Sequence, residues 1–381
     1  MEDTQPPFDT GAERLEEAAD PSLAHPLPNM ALVDLFGQDI RAAVAGLDRA
    51  DDEDGLVEHG RAVQKLCMKL LAEGVAAGPM TRIVAALNER LTCRVIAHAF
   101  EGVASPDEFS WLALGSQARY EQTFSTDQDN AILFPDSDEE PEAVRARLLP
   151  TAQRVNRILD RCGFELCPGD IMAGNPRWCL SETEWRDRFA RWIDNPSPEA
   201  LMHGAIFFDF RRLHGLTDPV ERLRVWLFEQ TGRHDLFMRF MAEAALRNAP
   251  PLGTLRQFRT RKGGDDAGTL DIKVNGVALF TDAARILGLA AGVPATNTLQ
   301  RLSDAALFLN LDDTRMKAWQ EAFLYLQTLR LRHQYWQGRR KEPMSNRINP
   351  GKLNGFERAA LAEALKQARD MQKSLAHRYQ L

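Results

Sequence analysis

The sequence predicts an α+β protein in which a small sheet-bearing segment is flanked by helical regions, and three observations carry that prediction. Apolar residues recur at helical spacing before residue 104, short runs of strand-forming residues punctuate 105–215, and long amphipathic stripes return from 216 onward. A chain of 381 residues exceeds the ~250–300 residues at which a single core stops growing, so more than one domain is expected.

Residues 1–30 carry acidic residues and prolines where a signal peptide would need a basic start and an apolar core, and they read as a flexible leader. Over 31–104, Val33, Phe36, Ile40, Val44 and Leu47, then Leu66, Leu70 and Leu71, then Ile83, Leu87 and Leu91 mark helices. Turns at 51–55 and 74–79 separate them, so two to four helices packed as an antiparallel bundle are expected. The pattern changes near Ser105. Trp111–Leu114 is too short for a long helix and ends at Gly115, which makes it a buried strand; Ala131–Phe134 and Ala205–Phe210 read the same way. Between these runs, residues 142–161 read as a helix broken at Pro150. Ser181-x-x-Glu184 is a capping box that opens a helix bearing Trp185, Phe189 and Trp192. These elements define a compact domain over 105–215. From 216 to 381 the chain is helical, with one stripe of Trp319, Phe323, Leu326, Leu329 and Trp336 and another of Leu361, Leu365, Ala368, Met371 and Leu375. Residues 259–268 form a loop, and 270–274 a short strand before helix resumes.

Composition narrows the class. Hydrophobic residues at 44% and charged residues at 27% describe a globular chain rather than a disordered or fibrous one. A net charge of -7 argues against a protein built to grip long nucleic acid, which needs clustered Lys and Arg. No apolar run approaches the ~20 residues of a membrane span. Five cysteines, an odd number without short-spaced pairs, fit reduced thiols in a cytoplasm. Cys162, Cys167 and Cys179 match no common metal spacing and read as structural.

The densest chemistry lies in 114–130, between two predicted strands. Gly115 and Ser116 directly after a strand let the backbone approach an anion and offer it N–H and hydroxyl donors, with Arg119 close behind to brace the same phosphates. Asp127 and Asp129 are two apart, so in an extended segment both carboxylates point to one side. Two like charges so placed repel unless a cation lies between them, and Mg²⁺ is held by one or two carboxylates plus substrate phosphates. Asp209, at the end of an apolar run, is suited to bring a third carboxylate to that face, for a second metal or as a base toward an attacking hydroxyl.

Gly115-Ser116, Asp127-x-Asp129 and the later Asp209 together resemble the signature of the DNA polymerase β superfamily of nucleotidyltransferases. The longer blocks GSQARYEQTFSTDQDNAILF, MAGNPRW and IFFDFRRLHG are similar to bacterial nucleotidyltransferases related to PII uridylyltransferase and glutamine-synthetase adenylyltransferase. DIKVNGVALFTDAARILGLAAGVPATNTLQRL is similar to the helical substrate-binding domain that follows in that family. The resemblance implies a small mixed sheet, Mg²⁺ (Mn²⁺ as a substitute) and a nucleoside triphosphate as substrate. It assigns metal binding to Asp127, Asp129 and Asp209, and phosphate binding to Gly115, Ser116 and Arg119. Ala118 stands where many relatives carry glycine, and residues 1–30 are too short for the regulatory domains that precede the catalytic part in many of them.

The expected reaction is transfer of a nucleoside monophosphate to an acceptor hydroxyl, on a protein by family likeness, with release of pyrophosphate. The competing expectation is a non-catalytic nucleotide-sensing module on the same fold. Neither nucleic acid nor membrane is expected as a partner, and the C-terminal helices suit a homodimer. Other polar residues have ordinary readings. Glu121 supports its loop; Asn175 and Trp178 suit a pocket or a buried turn equally. Lys273, Arg285 and Arg301 have two readings, cations that face the triphosphate or the acceptor and, preferred, ion pairs within the helical domain; His203 and His214 read as structural histidines.

Overall fold

The computed structural model describes residues 30–253, 257–309 and 311–381; the leader expected at 1–30 lies outside the described residues but for Met30, as do the side chains of Val33 and Phe36. Three helices open the described residues, α1 (Met30–Arg49), α2 (Glu53–Ala72) and α3 (Ala77–Phe100). Asp52 caps α2 by accepting from the Gly55 amide at 2.7 Å, which supplies one of the donors that a helix start leaves unpaired.

The sheet follows. Strands β1 (Ser110–Leu114), β2 (Asn130–Phe134), β3 (Cys179–Ser181) and β4 (Phe210–Gly215) are ordered β3-β2-β1-β4. β1 lies antiparallel to both β2 and β4, while β2 and β3 run parallel, so the sheet is mixed. Between the strands run α4 (Gly115–Ala118), α5 (Pro141–Cys162), α6 (Glu182–Asp194) and α7 (Pro198–Phe207). The capping box at Ser181 and Glu184 is formed in full.

Alternation along the strands divides the interior in two. Trp111, Ala113, Ile132, Phe134, Cys179 and Leu213 join the side chains of α1–α3 and α5 in one core. Leu112, Leu114, Ala131, Leu133, Leu180 and Phe210 join α6, α7 and the C-terminal helices in the other. Burial of each large apolar side chain is worth ~1.5–3 kcal/mol, so both helical flanks are held to the sheet by area rather than by a few contacts. The C-terminal region comprises α8 (Asp218–Thr231), α9 (Asp235–Arg247), α10 (Ala278–Ala290), α11 (Thr298–Leu309), α12 (Asp313–Arg339) and α13 (Gly355–Tyr379). A two-stranded ribbon pairs β5 (Leu270–Asp271) with β6 (Arg347–Ile348), and a π-helical turn at Lys273–Val277 leads into α10.

Four readings need correction. Ala205–Phe210 is not one strand: residues up to Phe207 complete α7, capped by Ser197 with Pro198 in its first turn, and β4 starts at Phe210. A short apolar run does not by itself separate a buried helix from a buried strand. Pro150 does not break α5, which runs through it. Residues 270–274 hold strand only at Leu270–Asp271, then turn into the π-helical segment. Trp336 lies 53% exposed, off the buried stripe formed by Trp319, Phe323, Leu326 and Leu329.

Candidate active site

The segment 127–130 sits at the mouth of β2 and is fixed from both sides. The Leu114 amide donates to the Asp129 carbonyl at 3.0 Å, the Gln128 amide to Glu165 at 2.9 Å, and the Asn130 amide to Ile171 at 3.2 Å. Side chains then alternate. Gln128 donates through its amide to the Asn156 and Phe164 carbonyls, each at 2.9 Å, and accepts from Asn156 at 2.8 Å. Asn130 accepts from Asn156 and from the Ala173 amide. With the even positions anchored inward, Asp127 and Asp129 are left on the other side, where their oxygens and the Cys167 sulfur lie within 4.8 Å of one another.

This cluster has the electrostatics of a cation site. Burial, and then the neighbouring Asp127 charge, push the Asp129 carboxyl up to about 6, the cost of two acids held together. Gly115 presses against the pair: its φ of +51° is left-handed, and a Cβ there would meet Asp129 Oδ2 at 3.1 Å. A glycine is needed on both counts. Two carboxylates beside a close backbone suit Mg²⁺, which takes oxygen ligands and completes its shell with phosphates. Cys167 does not suit it: burial pushes the thiol up to about 11. At neutral pH it therefore stays protonated, hydrogen-bonded to Asp129.

Beside the pair lies a cavity of about 70 Å³ whose lining includes Ser116, Arg119, Lys273, Thr281, Gln327 and Arg330. Lys273 bridges cavity and carboxylates, with Nζ 3.9 Å from Asp127 Oδ1. Three of the predicted phosphate-binding and metal-binding groups, Ser116, Asp127 and Asp129, thus have surroundings suited to those tasks, and Gly115 shapes the approach.

Asp209 is placed otherwise. It occupies the short junction between α7 and β4, is wholly buried, and is not among the acids that meet at Asp127 and Asp129. Arg119 reaches its Oδ2 at 2.6 Å and Arg285 the same oxygen at 2.8 Å, while Arg301 pairs with Oδ1. Burial alone would raise this carboxyl; Arg285, Arg301 and Arg119 outweigh it and hold the group well below the usual carboxylate range. Arg119 therefore braces Asp209 and Glu121 here, although it also lines the cavity.

The chain's family follows from comparison. Residues 61–199 match the family described as putative nucleotidyltransferase DUF294, and residues 235–379 match the putative nucleotidyltransferase substrate binding domain. The chain belongs to this nucleotidyltransferase family. The two matches cover more than half of it, and no curated protein matches. The nucleotidyltransferase domain contributes the Asp127–Asp129 segment, and the substrate-binding domain contributes Lys273, Thr281, Gln327 and Arg330 to the adjoining cavity.

Several residues had ordinary or no readings in the sequence. Lys273, Arg285 and Arg301 do form ion pairs; Arg285 makes one within the helical domain, to Asp282 at 2.9 Å, but all three also reach out of it, Lys273 to Asp127 and the two arginines to Asp209. Glu121 does more than support its loop, accepting from Arg119 and from the Thr298 amide at 2.8 Å. Gln128, Asn130 and Asn156 set the register of the two aspartates; the polar residues alternating with them in 127–130 were the available signal. Trp178 and Asn175 belong to the buried-turn reading: the indole packs 6.4 Å from Trp185 and donates to the Asp170 carbonyl, and Asn175 caps the turn by accepting from Arg177. His203 packs against Trp178, Trp192 and Phe207, and His214 against Phe109. Among the described residues no helix is long and apolar enough to cross a membrane.

Proposed function

We propose that this protein transfers a nucleoside monophosphate from a Mg²⁺-bound nucleoside triphosphate to a hydroxyl on an acceptor protein, releasing pyrophosphate. The observation that carries this reading is the Asp127–Asp129 pair, held side by side against Gly115 beside a cavity lined by Ser116 and three cationic side chains. Asp127 and Asp129 would hold Mg²⁺, with Mn²⁺ as a substitute; the ion when bound supplies positive charge to the phosphates. The acceptor oxygen forms a bond to the α-phosphorus as the bond from that phosphorus to the bridging oxygen breaks, and pyrophosphate leaves. Ser116 and Arg119 orient the phosphates, so positioning and charge neutralisation do most of the work.

Asp209 enters this reaction only after a change of partners. While three guanidiniums hold it, it is too weak a base to take the acceptor's proton and has no free oxygen for a cation. A triphosphate bears several negative charges against one on Asp209, and in our reading it draws both Arg119 and Arg285 off Oδ2, freeing that oxygen to take the proton of the acceptor hydroxyl. A nucleotide-sensing module without turnover is the second reading; the caged Asp209 and the small cavity favour it.

The test is incubation of the purified protein with each α-³²P-labelled nucleoside triphosphate and Mg²⁺ in a lysate of its host, beside Asp127→Asn/Asp129→Asn. A labelled protein made by the wild type and not by the variant is expected. Label made equally by the variant contradicts the reading, and no label with any nucleotide favours the sensing module.

A further inference from the structure

Arg330 is a buried cation without a counter-ion. It projects from α12 of the substrate-binding domain into the cavity beside Asp127, with 6% of its surface exposed. The three hydrogen bonds it donates go to neutral oxygens: Asn346 Oδ1 at 3.0 Å, Gln327 Oε1 at 2.8 Å and Thr123 Oγ1 at 3.4 Å. Among the described residues no carboxylate forms an ion pair with it. The acids whose charges reach it are engaged elsewhere: Asp271 accepts from the Val274 amide at 3.0 Å, Glu121 pairs with Arg119 and Asp127 with Lys273. Burial lowers the Arg330 guanidinium to about 10, which still leaves it charged at neutral pH.

Gln327, one turn earlier on the same helix, lines the same cavity and is 1% exposed. Its Oε1 must face Arg330, since a guanidinium only donates, so the orientation of the amide follows. That leaves Gln327 Nε2 buried with no hydrogen-bond partner. An unpaired buried charge and an unmade buried hydrogen bond are each destabilising. Here both fall on adjacent turns, and both want an acceptor in the cavity that Ser116 and Arg119 also line.

We infer that Arg330 and Gln327 receive the outer phosphates of the nucleotide, so that the substrate-binding domain completes the triphosphate site from above the Asp127–Asp129 pair. The inference rests on the proposed nucleotide reading and adds to it a binding role for α12. An anion with several equivalent oxygens satisfies both side chains at once, accepting a forked pair of donors from the guanidinium and one from the amide. The present 70 Å³ is below the ~300–1,000 Å³ of small-molecule sites, so binding requires the cavity to widen.

Two variants separate a phosphate receptor from a structural tie. Arg330→Met removes the cation and keeps apolar bulk; Gln327→Glu supplies the missing counter-ion in the same space. Affinity for Mg²⁺ with inorganic triphosphate, and with each of the four ribonucleoside triphosphates, is measured by titration calorimetry, alongside the unfolding midpoint of the ligand-free proteins. Both variants should bind triphosphate at least tenfold more weakly than the wild type, while Gln327→Glu raises the ligand-free midpoint. Wild-type affinity in either variant overturns the inference while leaving the nucleotide reading in place. A wild type that binds none of these compounds overturns both.

Discussion

Asp209 shows how one side chain can match a motif in sequence and hold a different post in the fold. Its place at the end of an apolar run, and the family resemblance, predicted a carboxylate facing a metal, but the guanidiniums that surround it come from residues 119, 285 and 301, too far apart in the chain for any local pattern to reveal. Removing one partner of a fully buried ion pair costs ~3–5 kcal/mol, because the others stay buried and charged. Asp209→Asn should therefore lower stability by about that much in urea unfolding, whereas Asp127→Asn, which relieves repulsion, should cost little. The sign with pH follows from the depressed carboxyl. The stabilisation is present above the unfolded value near ~4 and is lost as pH falls through the folded value, so the gap between wild type and Asp209→Asn should narrow on acidification. A gap that persists unchanged at low pH would contradict the ion-pair account.

The β1–α4 turn and the 127–130 segment together frame the candidate site, and both were legible for a physical reason. A strand ending in glycine, and two acids at a spacing of two, are local signals that depend on neighbouring residues only. Gly115 is the joint between them. Alanine there would cost ~1–2 kcal/mol for the left-handed backbone and would press its Cβ against Asp129 Oδ2 at 3.1 Å. Gly115→Ala should stay folded yet lose at least tenfold in nucleotidyl transfer, and retention of full activity would count against the close packing of loop and acid. Elements whose identity depends on distant packing were read less well. The run through Phe207 became helix because Ser197 and Pro198 start one upstream, and the three-residue β3 was missed because its pairing to β2 is supplied from outside its own sequence.

At the scale of the molecule, the two faces of one small sheet organise everything. The N-terminal helices share a core with one face, the C-terminal helices with the other, so the helical flanks read from the sequence do not bury separate interiors of their own. The seam between sheet and C-terminal helices is polar where the chemistry lies: Thr296 donates to the Ala118 carbonyl at 2.6 Å, the Phe124 amide to Gln334 at 3.1 Å, and Arg285 and Arg301 reach Asp209. The amphipathic stripes that predicted these helices record only their apolar faces. Hence Arg330 and Gln327, polar residues set among apolar ones on the buried face of their helix, gave no sign of facing a site until the seam was assembled. Under the proposed function this arrangement predicts that metal and nucleotide binding are interdependent, since the carboxylates come from one side and the cationic donors from both.

The most direct test of that interdependence is calorimetric titration of the wild type and Asp127→Asn/Asp129→Asn with the four ribonucleoside triphosphates, each with Mg²⁺ and with chelator. The wild type should bind at least one of them at least tenfold more tightly with Mg²⁺, and the variant should lose that Mg²⁺-dependent gain; equal affinity with and without Mg²⁺, unchanged by the substitutions, would contradict the assignment of Asp127 and Asp129 as the metal-binding pair.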